Sequence, residues 1–336
     1  MHDFRRIASH FTPSRIGNMA RLISGYYLSR ITGVPRQWGL PYTVSIEPTT
    51  SCNLRCPECP SGLRSFSRPT GMLDKALFKQ IAGQLSSHCV YMNFYFQGEP
   101  YLHPDFFDLV KIAKTHGYYT STSTNAHFLD EERAAMTVES GLDRLIISID
   151  GTDQKTYSGY RKGGSLDKVI EGTKRLVAIK QRLKKQTPYL VFQFLVVRHN
   201  EHQVGEIMKL GKALGVDHVA LKTAQVENYE EGSPLIPRQQ KYSRYKQLPS
   251  GKWIIKNKLE NHCWRMWSGA VITWDGRVVP CCFDKDAQHQ MGNLNDTSFE
   301  DIWRSDQYQR FRGLILKSRS EIDMCRNCSE GTRVWA

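Results

Sequence analysis

The stretch Thr-Ser-Cys-Asn-Leu-Arg-Cys-Pro-Glu-Cys-Pro-Ser, residues 50–61, decides how the rest of the chain is interpreted. It places Cys52, Cys56 and Cys59 at the spacing C-x3-C-x2-C, so three thiolates come from eight consecutive residues. Cysteine thiolates are the usual ligands of iron–sulfur clusters. A loop this short can reach three irons of a four-iron cube and leaves the fourth open, and an open metal position is where chemistry takes place.

Two simpler uses of these cysteines compete with a cluster. Structural zinc sites take four ligands, usually from C-x2-C pairs, and no histidine lies within or beside this loop; the nearest in sequence is His88. Disulfides are the second alternative, but no secretion signal is recognisable and eight residues are a cramped place for three half-cystines. Nine cysteines without a secretion signal predict a reducing, cytoplasmic setting.

Length and charge narrow the class of protein. With 336 residues and 40% hydrophobic residues, the chain can form one large α/β domain and a small one. No run of about 18 apolar residues suggests a membrane span. The formal charge of +13 favours an anionic partner, such as a phosphorylated substrate, an acidic lipid surface or a reductant protein. The basic residues are scattered rather than gathered in a stripe with aromatics, so no nucleic-acid partner is expected.

Strand-like and helix-like segments alternate through the first two thirds of the chain. Apolar, β-branched or aromatic runs occur near residues 42–47, 91–96, 118–123, 144–149, 190–197 and 218–222. Segments with helix caps and glycine stops lie between them, with Asp74, Asp130 and Ser165 as caps. Six strand–helix units in series predict an α/β fold with a parallel sheet.

The polar motifs follow the strands in a regular way. The cysteine loop follows the first strand, and Gln97-Gly98-Glu99-Pro100 follows the second. Asn125 follows the third strand, and Ser148 and Asp150 close the fourth. Functional residues of parallel α/β folds gather on loops at the carboxyl ends of strands, so all four motifs are expected at one edge of the sheet.

With these motifs the sequence resembles the radical S-adenosylmethionine (radical SAM) superfamily. The resemblance implies a partial (β/α)6 TIM-like barrel and a 4Fe-4S cluster on Cys52, Cys56 and Cys59, whose fourth iron binds SAM. An electron from the cluster then splits SAM into methionine and a 5′-deoxyadenosyl radical, which takes a hydrogen atom from substrate. The implied cofactor-binding residues are Gly98 and Glu99 for the SAM amine, Ser148 and Asp150 for the ribose, Arg161 for the carboxylate, and Asn125. Gln97 and Glu58 depart from the usual pattern.

A second set of cysteines lies near the C-terminus. Cys263, Cys281, Cys325 and Cys328 offer four thiolates, enough to close every iron of a second cluster. Residues 272–279 predict a hairpin that turns at Asp275-Gly276, followed by a helix around residues 299–303. This part resembles SPASM and twitch domains, which implies one auxiliary 4Fe-4S cluster. Zinc is the alternative, because four thiolates suit it equally. Cys89 is expected in the core, and Cys282 is expected to be spare.

Four segments are predicted along the chain. They are a basic helical N-terminal segment (1–40), the radical SAM core (41–223), a connector (224–262) and a small C-terminal auxiliary-cluster domain (263–336). In the first segment Ile16, Met19, Tyr26, Tyr27 and Ile31 recur at helical spacing. This helix is expected to pack on the following domain, with contact to an anionic membrane surface as the alternative.

The resulting prediction is a radical SAM oxidoreductase or modifying enzyme. It would act on a small, hydroxylated substrate that can be anionic, with the auxiliary cluster as electron acceptor and a flavodoxin- or ferredoxin-like electron donor. The general base is not identified. Peptide or protein modification, as in SPASM-type maturases, is the alternative among enzymes. A zinc-stabilised module that binds RNA is the alternative from another class.

Overall fold

A computed structural model describes residues 2–331, and its centre is one nine-stranded sheet. The strand order is β11-β10-β9-β1-β2-β3-β4-β5-β6, and β1 to β6 run parallel in the order of the sequence. The strands are β1 (Thr43–Ile46), β2 (Tyr91–Asn93), β3 (Tyr119–Thr124), β4 (Arg144–Ser148), β5 (Tyr189–Val196), β6 (His218–Thr223), β7 (Tyr245–Gln247), β8 (Trp253–Ile255), β9 (Gly269–Ile272), β10 (Arg277–Val279) and β11 (Gly292–Asn293).

Helices join the parallel strands and flank both termini. They are α1 (His2–Ser9), α2 (Pro13–Thr32), α3 (Pro60–Leu63), α4 (Lys75–Leu85), α5 (Phe106–Thr115), α6 (Glu131–Glu139), α7 (Gln154–Tyr160), α8 (Leu166–Arg182), α9 (Val204–Leu214), α10 (Arg265–Ser268), α11 (Phe299–Arg304), α12 (Asp306–Ser318) and α13 (Asp323–Arg326). None of the helices between residues 2 and 331 is long and apolar enough to cross a bilayer.

The predicted α/β fold with a partial barrel is confirmed. All six predicted runs form the parallel strands β1 to β6. The predicted caps act as expected, because the side chains of Asp74, Asp130 and Ser165 accept hydrogen bonds from backbone amides in the first turns of α4, α6 and α8. Local capping and alternation were therefore enough to locate the core elements.

The two faces of the parallel sheet differ in chemistry. On the outer face Ile46, Phe94 and Phe192 belong to a buried apolar core together with helix residues such as Ile81 and Val110. The inner face carries polar side chains in the middle of the strands. Because successive side chains of a strand point to opposite faces, these polar residues are separated from the apolar residues of the outer face. The inner-face polar residues are Ser45, Asn93, Ser121, Ser123, Ser148 and Gln193.

The amino-terminal segment packs on the barrel in two places. Asp3 of α1 accepts hydrogen bonds from Tyr119 and, at 2.8 Å, from Arg144, at the end of the strands opposite the motifs. One face of α2 is buried, with Tyr26 against Trp264 and Trp267. The opposite face stays in solvent, where Ile31 is 81% exposed. The predicted apolar stripe is thus divided between a packed side and an exposed side.

The C-terminal hairpin is part of the same sheet as the core. Strands β9 and β10 form the predicted hairpin around Asp275-Gly276, with Ile272 paired to Val278. Strand β9 also pairs in parallel with β1 over four residues, from Thr43–Gly269 to Ile46–Ile272. The sequence did not indicate this pairing. The four segment boundaries stay predictions.

Candidate functional site

The cysteine loop leaves the carboxyl end of β1 and folds back on itself. Glu58 has a φ of 66°, and a Cβ on Gly62 would lie 2.7 Å from the backbone nitrogen of Cys56, so the loop is tightly wound. Burial raises the pKa of the Cys52 thiol to about 11, and nearby Glu99, Cys59 and Cys56 add to the rise. The three predicted thiols are therefore neighbours, and binding of iron would deprotonate them.

Gly98 supports the loop from the neighbouring strand. Its φ is 76°, and a Cβ there would lie 2.1 Å from the carbonyl oxygen of Thr49, so only glycine fits. Its amide donates to Ser61 Oγ at 2.8 Å. Gly98 and the cysteine loop are therefore in close contact through the backbone of Gly98.

Glu99 is a buried carboxylate at the edge of the same cavity. It accepts hydrogen bonds from Thr124 Oγ1 and the amide of Asn125, both at 2.7 Å, and from the amide of Tyr101 at 3.2 Å. Burial nevertheless raises its pKa to about 7. A cationic ligand group beside it would favour the ionised form.

Asp150 and Arg161 form a buried ion pair. Asp150 is fully buried; its Oδ2 accepts from Arg161 Nε at 2.5 Å, and its Oδ1 accepts from the amide of Leu195 at 2.7 Å. Arg161 Nη1 lies 3.8 Å from Cys56 Sγ. Both oxygens of Asp150 are occupied by these partners, so these contacts make it a positioning residue for Arg161. The ribose contact predicted for Asp150 stays a prediction.

A cavity of about 250 Å³ brings most of the predicted residues together. Its walls include Cys52, Cys56, Cys59, Gly98, Glu99, Asn125, Ser148 and Arg161, but not Asp150. Sequence reasoning missed Ser61, Ser123, Tyr160 and Gln193, which also line it. Strand alternation could have indicated Ser123 and Gln193, because they share a sheet face with Ser148.

The polar inner face of the sheet continues away from this cavity. Ser45, Asn93 and Ser121 are register partners on β1, β2 and β3. Asn93 Oδ1 and Ser121 Oγ are buried and have no hydrogen-bond partner among the described residues. A smaller cavity of about 90 Å³ continues past Ser45 and Asn93 to Arg265, Cys281 and Cys282. Buried polar atoms without partners indicate that water or a polar ligand belongs there.

Three of the four C-terminal cysteines surround one arginine, Arg319. Cys263, Cys325 and Cys328 are buried. Burial acts to lower the pKa of the Arg319 guanidinium, but these three cysteines outweigh it and the pKa is raised. Cys281 is half-buried, and Cys282 and burial raise its pKa most, with a smaller contribution from Cys263. Cys282 is exposed, whereas Cys89 is fully buried in the core as predicted. No sequence motif indicated that Arg319 would lie beside these cysteines.

The thiols are not arranged for a single metal ion. Within residues 2–331, no three His, Cys, Asp or Glu side chains converge closely enough to hold one ion. A tetrahedral zinc site with Zn–S bonds of about 2.3 Å holds its sulfurs only about 3.8 Å apart. A four-iron cube takes one thiolate at each iron and spaces them more widely. Among the described residues the thiols therefore do not converge on one zinc-sized site.

The connector covers the cysteine loop instead of standing in solvent. Val226 and Tyr245 belong to an apolar cluster that also holds Leu54 and Cys56, with Cys52 and Cys59 packed against it. The connector contains the β7–β8 hairpin, with Tyr245 paired to Ile255. A cavity of about 500 Å³ lies between the connector, the cysteine loop and residues 283–288 and 323–327. The connector is therefore a structural part of the site.

Comparison with known proteins agrees with this geometry. Residues 46–211 match the radical SAM superfamily, and residues 263–329 match the SPASM iron–sulfur cluster-binding domain. The chain belongs to the radical SAM superfamily. The radical SAM family and the SPASM domain imply 4Fe-4S clusters, so the predicted cofactors are confirmed at the level of the family, and the protein is an enzyme.

Relatives of this radical SAM enzyme cover nearly all of it. It is 27% identical to the tungsten-containing aldehyde ferredoxin oxidoreductase cofactor-modifying protein of Pyrococcus furiosus in an alignment of 316 positions that covers 84% of this chain and 86% of that protein. The structure of Streptococcus suis SuiB bound to S-adenosylmethionine matches with a TM-score of 0.63 at 15% identity, covering 91% of this chain and 74% of SuiB. BtrN in complex with AdoMet and 2-DOIA matches with a TM-score of 0.53 at 21% identity, covering 88% of this chain and 95% of BtrN. These structural likenesses support the fold.

Proposed function

We propose that this radical SAM enzyme oxidises or otherwise modifies a small, polar, hydroxylated substrate inside its barrel. The observation that carries the proposal is the polar inner face of the sheet, which continues from the cavity at the cysteine loop. On this face Asn93 Oδ1 and Ser121 Oγ have no hydrogen-bond partner among the described residues, and both could form hydrogen bonds with hydroxyl groups of a substrate. An anionic substrate group would meet Arg265, which lines the smaller cavity.

The residues around the first cavity fit SAM and a cluster. Cys52, Cys56 and Cys59 would hold the cluster, which when bound supplies the electron that cleaves SAM and so starts hydrogen abstraction from substrate. Glu99 would pair with the SAM ammonium, and Gly98 keeps the backbone close enough for that contact. Asp150 orients Arg161 toward the SAM carboxylate. Ser148 and Asn125 line the remaining wall and would contact the nucleoside.

The C-terminal cysteines would complete an oxidation. Cys263, Cys281, Cys325 and Cys328 would hold the auxiliary cluster, which accepts the electron left on the substrate after hydrogen abstraction. A flavodoxin- or ferredoxin-like donor would supply the first electron. The cytoplasmic location predicted from cysteine usage belongs to this proposal as well.

The proposal is tested by label transfer. The reconstituted enzyme is incubated anaerobically with SAM, a reductant and deuterated polyhydroxylated candidates, and 5′-deoxyadenosine is analysed for deuterium. We expect deuterium from a small hydroxylated compound, and none in a variant with Cys52, Cys56 and Cys59 replaced by alanine. Asn93→Ala should reduce labelling while SAM cleavage continues. Unchanged labelling in Asn93→Ala would contradict substrate binding on the inner face.

Modification of a peptide or a protein-associated group is the second candidate. It is favoured by the cofactor-modifying relative and by the cavity of about 500 Å³ beside the connector. Deuterated peptides included in the same assay distinguish the two candidates. Label transfer from peptides alone would replace the first proposal with this one.

A further inference from the structure

Arg319 is a fully buried cation at the auxiliary cysteines. Only 1% of the surface of Arg319 is exposed. Nη1 donates to the carbonyl oxygen of His262 at 2.8 Å, and Nη2 donates to the carbonyl oxygen of Glu330 at 2.7 Å and to Cys328 Sγ at 3.4 Å. Nε has no hydrogen-bond partner among the described residues. One donor of this guanidinium is therefore available to a group bound between the cysteines.

The charge of Arg319 has no carboxylate partner in residues 2–331. Glu330, whose backbone carbonyl accepts from Arg319, directs its carboxylate to Arg265 at 2.7 Å and to Arg244 at 3.7 Å. The groups that face the guanidinium are the thiols of Cys263, Cys325 and Cys328. A buried cation without a compensating charge is strongly destabilising. Negative charge at these sulfurs, which metal-bound thiolates would provide, would therefore stabilise the guanidinium.

We propose that Arg319 is a positioning residue that raises the reduction potential of the auxiliary cluster. The inference rests on the proposed function, in which this cluster accepts an electron. Cluster potentials depend on net charge, burial and hydrogen bonds to sulfur. A fixed buried cation lowers the energy of the state that carries one more negative charge, and an N–H donor to sulfur acts in the same direction.

The raised potential favours electron transfer out of the substrate. After losing a hydrogen atom, a hydroxylated substrate carries one unpaired electron. It would release that electron to an auxiliary cluster held by Cys263, Cys281, Cys325 and Cys328 and a proton to solvent, which leaves a carbonyl group. A low-potential carrier of the ferredoxin or flavodoxin class then removes the electron. Arg319 makes the first transfer more favourable without touching the substrate.

The chain offers a matched control for the loss of a buried arginine. Arg312 is also fully buried in the C-terminal region, where its guanidinium lies 4.3 Å from the ring centre of Trp303 and 4.1 Å from that of Tyr308. It donates to the carbonyl oxygens of Met266 and Trp303 and contacts none of the four cysteines. Substituting Arg312 perturbs packing in the same region without changing the charge at the cluster.

The test is an EPR-monitored redox titration of full-length, reconstituted protein. All variants carry alanine at Cys52, Cys56 and Cys59, so that the auxiliary signal is observed alone. We expect Arg319→Gln to disfavour reduction at least tenfold, a downward shift of about 59 mV for a one-electron couple. Arg319→Lys should retain most of the wild-type potential, and Arg312→Gln should leave it unchanged.

Iron content separates the possible failures. An unchanged potential in Arg319→Gln at normal iron content would overturn the inference and leave the proposed function standing. Loss of iron in Arg319→Gln but not in Arg319→Lys would support the inference, because the site then depends on the charge. Equal loss in both variants would overturn it. About four irons and one zinc in the otherwise unchanged chain would overturn the auxiliary cluster itself.

Discussion

The hydroxyl of Tyr245 donates a hydrogen bond to Asn327 Oδ1 at 2.8 Å and thereby joins the two cysteine sites. Tyr245 belongs to the apolar cluster that covers the cysteine loop. Asn327 lies between Cys325 and Cys328, and its side-chain amide donates to the carbonyl oxygen of Val226 at 2.5 Å. One tyrosine therefore connects the cover of the first site to the ligand loop of the second.

Replacing Tyr245 by phenylalanine should loosen the auxiliary site. A lost buried hydrogen bond costs about 1 to 3 kcal/mol, so we expect several-fold faster release of iron to a chelator from the auxiliary site. Tyr229→Phe is the control, because Tyr229 stacks on Tyr245 at 4.7 Å and its hydroxyl makes no hydrogen bond with the described residues. Equal release rates in the two variants would show that the contact has no such effect.

Asp150 and Arg161 should act as one unit in SAM binding. Asp150→Asn and Arg161→Lys should each weaken SAM affinity about tenfold or more, because the first variant releases the guanidinium and the second removes its planar donors. The double variant should be little worse than either single one, as expected for directly coupled residues. Equilibrium binding of SAM to the reconstituted protein measures this coupling. Additive losses would instead support the direct ribose contact predicted for Asp150.

SAM affinity should depend on pH through Glu99. Burial raises the Glu99 pKa to about 7, so the ligand-free carboxyl is largely protonated below that pH. An ammonium ligand selects the ionised form, and affinity should therefore fall as pH decreases through about 7. It should fall again when the α-amino group of SAM deprotonates above about 8. The Glu99→Gln variant should bind SAM more weakly, and its SAM affinity should no longer fall as pH decreases through about 7. If the affinity of this variant still falls at acidic pH, another group is responsible for the pH dependence.

Removing two auxiliary ligands should separate initiation from completion. In a Cys325→Ala, Cys328→Ala variant we expect 5′-deoxyadenosine to form while the substrate-derived product is lost. The variant should contain about half the iron of the unmodified enzyme and keep the signal of the SAM cluster. Partial loosening of the C-terminal region is expected, because metal binding and folding are coupled. A normal yield of product would show that the auxiliary cluster is structural.

Local patterns in the sequence predicted the barrel well. Strands β1 to β6 are marked by apolar runs. Helix caps such as Asp74 accept hydrogen bonds from backbone amides in the first turn of their own helix, so they depend only on residues close in sequence. The rim position of Gly98 and Glu99 followed from the general rule for parallel sheets. These features depend on residues close in sequence or on topology common to the fold class.

Features that depend on distant partners were missed. The pairing of β9 with β1 joins residues more than two hundred positions apart, and the run 269–272 shows no sign of it. Arg319 was unremarkable in sequence because its environment comes from His262, Glu330 and three cysteines. The engagement of both Asp150 oxygens likewise depends on Leu195, a backbone donor that carries no sequence signature.

The β1–β9 pairing connects the C-terminal region to the core sheet. Both cysteine sites are anchored to adjacent strands of one sheet, which lie about 4.8 Å apart, and no flexible tether separates them. A cluster on each set of cysteines would therefore be supported by one continuous sheet. A chain shortened at residue 262 would lose β9 and expose the edge of β1, a site for intermolecular strand pairing.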